Sequence, residues 1–235
     1  MKTGKLFYYY FKESLKEVRE NFKIYLIYII ALTLVSIIQI PVDSFFSAED
    51  IALKFFSKTL FSLVPLLILS KILYVIKIRN FGLGDYVTVV WRYILYNFYY
   101  FSLLLMSLGI YVVFATFMST LLNFEAGFLI TAFLLLPFIY VVIFFSLSPY
   151  VAVFNDDEES VFEKSKSLAS KNILLVIVNH IFSLIIPILT SIIFLINNKN
   201  IKIALVLISS VPEAIFTILM VLTTTKIYMY LTERD

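Results

Sequence analysis

Residues 201–231 read IKIALVLISSVPEAIFTILMVLTTTKIYMYL, and apart from Lys202 and Lys226 the run carries one charged side chain, Glu213. As a helix rising 1.5 Å per residue it reaches about 46 Å, more than the roughly 30 Å hydrocarbon core of a bilayer. A run this long and this apolar is read as a membrane helix with one end projecting into water.

The rest of the chain agrees with that reading. Its 235 residues are 61% hydrophobic and 15% charged, with a mean hydropathy of +0.97. A soluble domain is about half apolar and a quarter charged. Six apolar segments emerge, near residues 24–45, 59–78, 99–122, 128–154, 173–196 and 201–231. They are continuous instead of alternating, and backbone exposed to lipid must satisfy its own hydrogen bonds, so an all-α polytopic protein is predicted rather than a barrel. No stretch is large enough for a separate soluble domain, which makes residues 1–235 one membrane-embedded unit. The start, MKTGKLFYYYFKESLKEVRENFK, lacks a small-residue cleavage site before the first apolar run, so the first span is expected to be retained.

Fifteen of the 19 Lys and Arg fall on one side of the six segments, leaving Lys54, Lys58, Lys199 and Lys202 on the other. The positive-inside rule then places both termini in the cytosol. A formal charge of +3 is too small to point to nucleic acid. There is no cysteine and one histidine, which excludes disulfides and a conventional zinc site. The glycines form neither a GxGxxG nor a P-loop pattern, and HExxH, GxSxG and SxxK are absent, so no cofactor, metal or catalytic residue is assigned.

Each odd-numbered span follows a segment suited to the membrane interface. In the first, Phe7, Phe11, Leu15, Val18 and Phe22 recur at helical spacing among charged residues. The third, NDDEESVFEKSKSLASKN, runs from acidic to basic, the polarity that suits a helix dipole, with Asn155 or Asp156 as its expected cap. The acidic run Asp156 to Glu159 reads as a solvated helix start. The second segment, GDYVTVVWRYILYNF, is aromatic.

Aligning the three segments brings ENFKIYL, YNFYYFS and KNILLVI into register, with Asn21, Asn97 and Asn172 just before spans 1, 3 and 5. Pro65, Pro137 and Pro212 recur in the even spans. Later in those spans Ser70, Ser146 and Thr224 each stand four residues before a tyrosine, Tyr74, Tyr150 or Tyr228. These correspondences predict three parallel copies of interfacial helix, span and Pro-containing span, at residues 5–80, 81–155 and 156–235.

Under that alignment Pro212 has counterparts and is architectural, whereas Glu213 faces Leu66 and Phe138 in the other copies. A carboxylate at mid-depth of a bilayer marks a candidate functional site facing the bundle interior. His180 and Asn179 lie at a similar depth, Gln39 adds an amide, and Lys71 could approach unless it snorkels to the interface, which carries more weight. The simpler alternative has Glu213 protonated and bonded to Ser209, Ser210 or a neighbouring helix, holding the bundle together. His180 has the same alternative, a bond between helices.

The segment LLPFIYVVIFFSLSPYVAVFNDDEESVFEKSKSLASKN, with GLGDYVTVVWRYI and the terminal KIYMYLTERD, resembles a broad group of poorly characterised prokaryotic six-span proteins. That group is similar to the membrane domain found fused to glycerophosphodiester phosphodiesterases. The resemblance covers about residues 60–235 and implies a multi-pass architecture in a prokaryotic cell membrane. It carries no functional residue onto this chain, and the phosphodiesterase activity is not assigned. Mitochondrial-type carriers also have three two-span units, but their Pro-x-acid motif ends odd-numbered helices, unlike Pro212 and Glu213.

The expected function is that of a non-enzymatic accessory or organising subunit, or a factor in envelope and lipid homeostasis. Membrane lipids are its expected partners, with a membrane protein as a further one. The alternative is a small transporter or lipid-translocating protein using Glu213 and His180. A cavity lined by Glu213 favours the second; a sealed core favours the first.

Overall fold

The computed structural model describes residues 3–45, 51–81, 85–121, 135–155, 160–194 and 199–233, with side chains of 39–45, 51–62, 81, 118–121, 186–194, 199–200 and 202 left out. Among the described residues the chain is helical and contains no strand. The helices are α1 (Thr3–Glu20), α2 (Phe22–Phe45), α3 (Ile51–Phe81), α4 (Tyr86–Leu121), α5 (Leu136–Phe145), α6 (Ser148–Phe154), α7 (Val161–Lys171), α8 (Ile173–Phe194) and α9 (Lys199–Thr232). Among the described residues, three stretches are long and apolar enough to cross a membrane: Tyr86–Phe117, Leu136–Phe154 and Ile203–Thr232. Counting each of two sharply bent helix pairs as one span raises the number to five. The protein is therefore an all-α membrane protein.

The bends occur at two of the aligned asparagines. The α1–α2 joint at Asn21 turns the chain by 98°, and the α7–α8 joint at Asn172 turns it by 104°. At Asn172 the side-chain oxygen accepts the Leu175 amide at 3.2 Å and starts α8, as an N-cap does. The second unit differs from the expectation of a separate interfacial helix. Asn97 lies inside unbroken α4, its amide donating to the Tyr93 carbonyl at 2.7 Å.

Two further expectations are corrected. Pro137 stands in the first turn of α5, where its missing N–H needs no partner, whereas Pro65 and Pro212 lie inside α3 and α9. Asn155 does not cap α7: it ends α6, its backbone N–H donating to the Val151 carbonyl, and Ser160 precedes α7. The span containing Pro137 breaks again at Ser146 and Leu147. Pro149 cannot donate to the Phe145 carbonyl four residues back, and the Ser148 hydroxyl does so instead at 2.7 Å. The run Asp156 to Glu159 lies outside the described residues, as does the side chain of Gln39.

Packing is densest at the end where α1 and α7 lie. There α9 is buried almost all round, with Ile218, Leu222, Ile227 and Leu231 sealed among α1, α2, α3, α6, α7 and α8. The opposite half of α9 is open, with Ile201, Leu207 and Ile208 exposed. Helix α1 buries Leu6, Phe7, Ser14 and Val18 with Phe11 packed on the core, so Phe7, Phe11 and Val18 of the predicted stripe face inward while Leu15 and Phe22 are exposed. The Ser14 hydroxyl meets that of Thr223 at 3.2 Å on the buried side.

Consecutive helices are neighbours in order: α2 on α3, α3 on α4, α4 on α5 and α6, α5 on α8, α8 on α9, and α9 back on α2. Helices α3, α6 and α9 also touch one another in pairs. Lys77 of α3 is buried, its ammonium donating to the Val153 carbonyl at 2.7 Å near the end of α6. Arg92 from α4 reaches Ala152 and Asn155 carbonyls at the same helix end, the terminus a cation favours.

Candidate functional site

Glu213 lies on one face of α9 with Phe216, Thr217, Met220, Val221 and Thr224, at helical spacings of three and four. That face borders a cavity of about 290 Å³. Helix α8 contributes Asn179, His180 and Ser183 to its wall, and α4 contributes Asn97 and Tyr100. Ser146, Pro149 and Tyr150 come from the broken helix α5–α6. Glu213 and His180 are half-buried, and Asn179 is buried. Three of the four predicted polar residues are thus brought to one cavity.

The fourth is not. Lys71 lies outside this cavity, its ammonium 4.4 Å from the centroid of the Tyr86 ring and 5.0 Å from that of Tyr74. Ring faces attract a cation, so the lysine is held at the start of α4. The hydroxyls of Ser209 and Ser210 donate to Val206 and Leu207 carbonyls, which commits their hydrogens to the helix and not to Glu213.

Hydrogen bonds hold the wall in place. The Asn179 amide donates to Thr224 Oγ1 at 3.0 Å, and the Thr224 hydroxyl donates to the Met220 carbonyl at 2.8 Å. Tyr150 packs edge-on against Tyr93 with centroids 6.3 Å apart. The Tyr100 hydroxyl is buried and has no hydrogen-bond partner. Buried polar atoms are normally satisfied, so an orphan in a cavity wall marks a place for a ligand or water.

Asn97, Ser146, Tyr150 and Thr224 were visible in the sequence as repeat positions, without any sign that they share a cavity with Glu213. Tyr100 and Ser183 were missed altogether. Their only signal is spacing: Tyr100 follows Asn97 by three and Ser183 follows Asn179 by four, one turn along the same face. Lys77 was also missed, three residues past Tyr74 where the other copies carry Val153 and Leu231.

A second cavity of about 320 Å³ lies at the α1 end, bordered by Glu13, Glu17, Glu20, Arg79 and Lys226 among others. Glu17 pairs with Lys226 at 2.8 Å and accepts the Tyr25 hydroxyl at 3.0 Å. Outside the apolar segments, exposed Asp85 caps α4. The Thr88 hydroxyl, with the Thr88 amide, donates to its carboxylate and holds Asp85 below the usual carboxylate range.

The fold and the site define an all-α integral membrane protein with a polar cavity between its helices. No family model, curated protein or solved structure matches the chain.

Proposed function

We propose that this is a non-enzymatic membrane protein that takes a small polar or amphiphilic molecule into the Glu213 cavity, as a transporter or lipid-translocating protein. The observation that carries this reading is the meeting of Glu213, His180, Asn179, Asn97 and Tyr100 from three helices around one space. A purely structural carboxylate would be expected in a sealed helix contact. The test is flux in proteoliposomes. Glu213→Gln is expected to abolish pH-dependent flux while the protein stays monodisperse; unchanged flux removes the carboxylate from the mechanism.

The finer architecture belongs to the same proposal: six spans in three parallel units, with both termini cytosolic in the membrane of a prokaryote. Support comes from the closed order of helix neighbours, the pairwise contacts of α3, α6 and α9, and the matching bends at Asn21 and Asn172. The basic bias supports the orientation. The resemblance to prokaryotic six-span proteins supports the location.

A second reading, an accessory or organising subunit, is favoured by the outer face of α1. Tyr8, Tyr9 and Leu15 are exposed there beside Lys5, Lys12, Lys16 and Arg19, a face suited to lipid or a partner. Replacing Tyr8, Tyr9 and Leu15 with serine should then deplete co-purifying proteins without lowering stability. An unchanged set of partners would count against this reading.

A further inference from the structure

Resting on the binding role proposed above, we infer that the Glu213 cavity recognises a monovalent ammonium group carried on an apolar body. Charge is the first reason. The lining contains one carboxylate and neither Lys nor Arg. A phosphate or carboxylate ligand would face Glu213 with His180 as the one basic side chain in the lining to offset it, in surroundings where unpaired charge is costly.

The hydrogen-bond inventory is the second reason. Ser146 donates to the Ile143 carbonyl at 3.4 Å, Ser183 to His180 at 2.7 Å and Thr224 to Met220 at 2.8 Å. Asn97 and Asn179 each direct an amide hydrogen at a protein oxygen as well. The hydroxyl hydrogens of these three residues are therefore turned onto helix carbonyls, while lone pairs on their oxygens remain. Glu213 adds the carboxylate oxygens, while the donors left in the wall include the unpartnered Tyr100 hydroxyl, which also accepts, and a His180 ring N–H. An ammonium group supplies several donors at one point, the complement of such a wall. Tyr100, Tyr150 and Phe216 add aromatic rings to the lining, and ring faces attract a cation.

Size and coordination narrow the class. A volume near 290 Å³ is many times the roughly 10–15 Å³ that one water needs, room for an organic cation and not only a bare ion. Calcium takes six or more oxygens, commonly from several carboxylates, and this lining has one. The ammonium can come from an aminophospholipid head group or from a free amine.

The experiment compares 2-phenylethylamine with 3-phenylpropionate, nearly the same shape with opposite charge. Binding is titrated at neutral pH to the full chain in phosphatidylcholine nanodiscs. The amine is expected to saturate, with the acid at least about tenfold weaker. Glu213→Gln should weaken the amine by about tenfold or more, and Tyr100→Phe by several-fold. Should Glu213→Gln fail to fold, Glu213→Asp and Tyr100→Phe carry the test through a graded loss. Equal binding of acid and amine, or amine affinity indifferent to these variants, overturns the ammonium assignment and leaves a binding cavity standing. Binding of neither probe overturns the assignment and the binding role together. Weaker amine binding in discs containing phosphatidylethanolamine identifies the lipid head group as the source; equal binding identifies a free amine. Both of these last results support the assignment.

Discussion

Asn21 and Asn97 stand at the same place in two aligned segments and make the same side-chain bond, an amide donated to the carbonyl four residues back. Yet the chain turns by 98° at Asn21 and runs on as one helix through Asn97. The asparagine bond therefore does not decide the bend. What differs is the segment before it. Helix α1 exposes Lys5, Lys12, Lys16, Arg19 and Glu20, charges that gain by staying in water, and the helix turns flat against the others to keep them there. The start of α4 carries Arg92 as its one charged side chain between Tyr86 and Asn97, and that guanidinium reaches carbonyls at the end of α6. With its charge placed there, α4 can continue straight. Helix α7 follows the first pattern, and its joint at Asn172 bends by 104°.

The largest effect should come from undocking a bent helix. Leu168 of α7 is fully buried, so Leu168→Ala is expected to lower stability by about 2–5 kcal/mol. Tyr93, which aligns with Leu168, is likewise buried in α4, whereas Trp91 beside it is 63% exposed, and Trp91→Ala should change stability by no more than about 0.5 kcal/mol. Thermal unfolding of the purified protein measures both, and equal effects would break the contrast between the buried and exposed faces of these segments.

A smaller effect separates two of the asparagines. Asn172→Ala removes the cap of α8 and should cost about 1 kcal/mol. Asn97→Ala replaces a side chain inside a helix with a better helix former and should change stability by a few tenths of a kcal/mol at most. Similar losses at both sites would return the asparagine to the centre of the explanation.

The smallest effect concerns helix starts and pH. Asp85 has a folded pKa below its unfolded one, so the unfolded chain binds the proton more readily. Its contribution is present above the ordinary aspartate range and is lost as pH falls through the depressed folded value. Ser160 makes no side-chain cap bond at the start of α7. Amide exchange, corrected for its intrinsic pH dependence, should therefore show the first turn of α4 opening on acidification in the native protein and not in Asp85→Asn. Parallel behaviour of the two proteins would remove Asp85 as the cause.

Much of the site was legible because depth in a membrane helix can be counted along the chain. At 1.5 Å per residue, Glu213, His180 and Asn179 fall at similar levels, and the structure brings them to one cavity. Lys71 could not be placed this way. Two tyrosines, one of them at the start of a different helix, hold its ammonium. Tyr100 looked like one aromatic residue among many until packing left its hydroxyl without a partner.

Sequence alone determined that the chain is helical and built for a membrane, since long apolar runs in lipid must close their hydrogen bonds within each helix. It also marked Asn21 and Asn172, where two of the bends fall, together with Asn97, where none does, and singled out Glu213 as the carboxylate inside an apolar run. Tertiary structure alone decided that α4 runs straight, that Ser14 of α1 meets Thr223, and that polar faces of α4, α8 and α9 enclose one space. The physical reason is rotation about the helix axis. Hydropathy specifies how deep a residue lies, but which neighbour it meets follows from side-chain packing between helices that are distant in the chain.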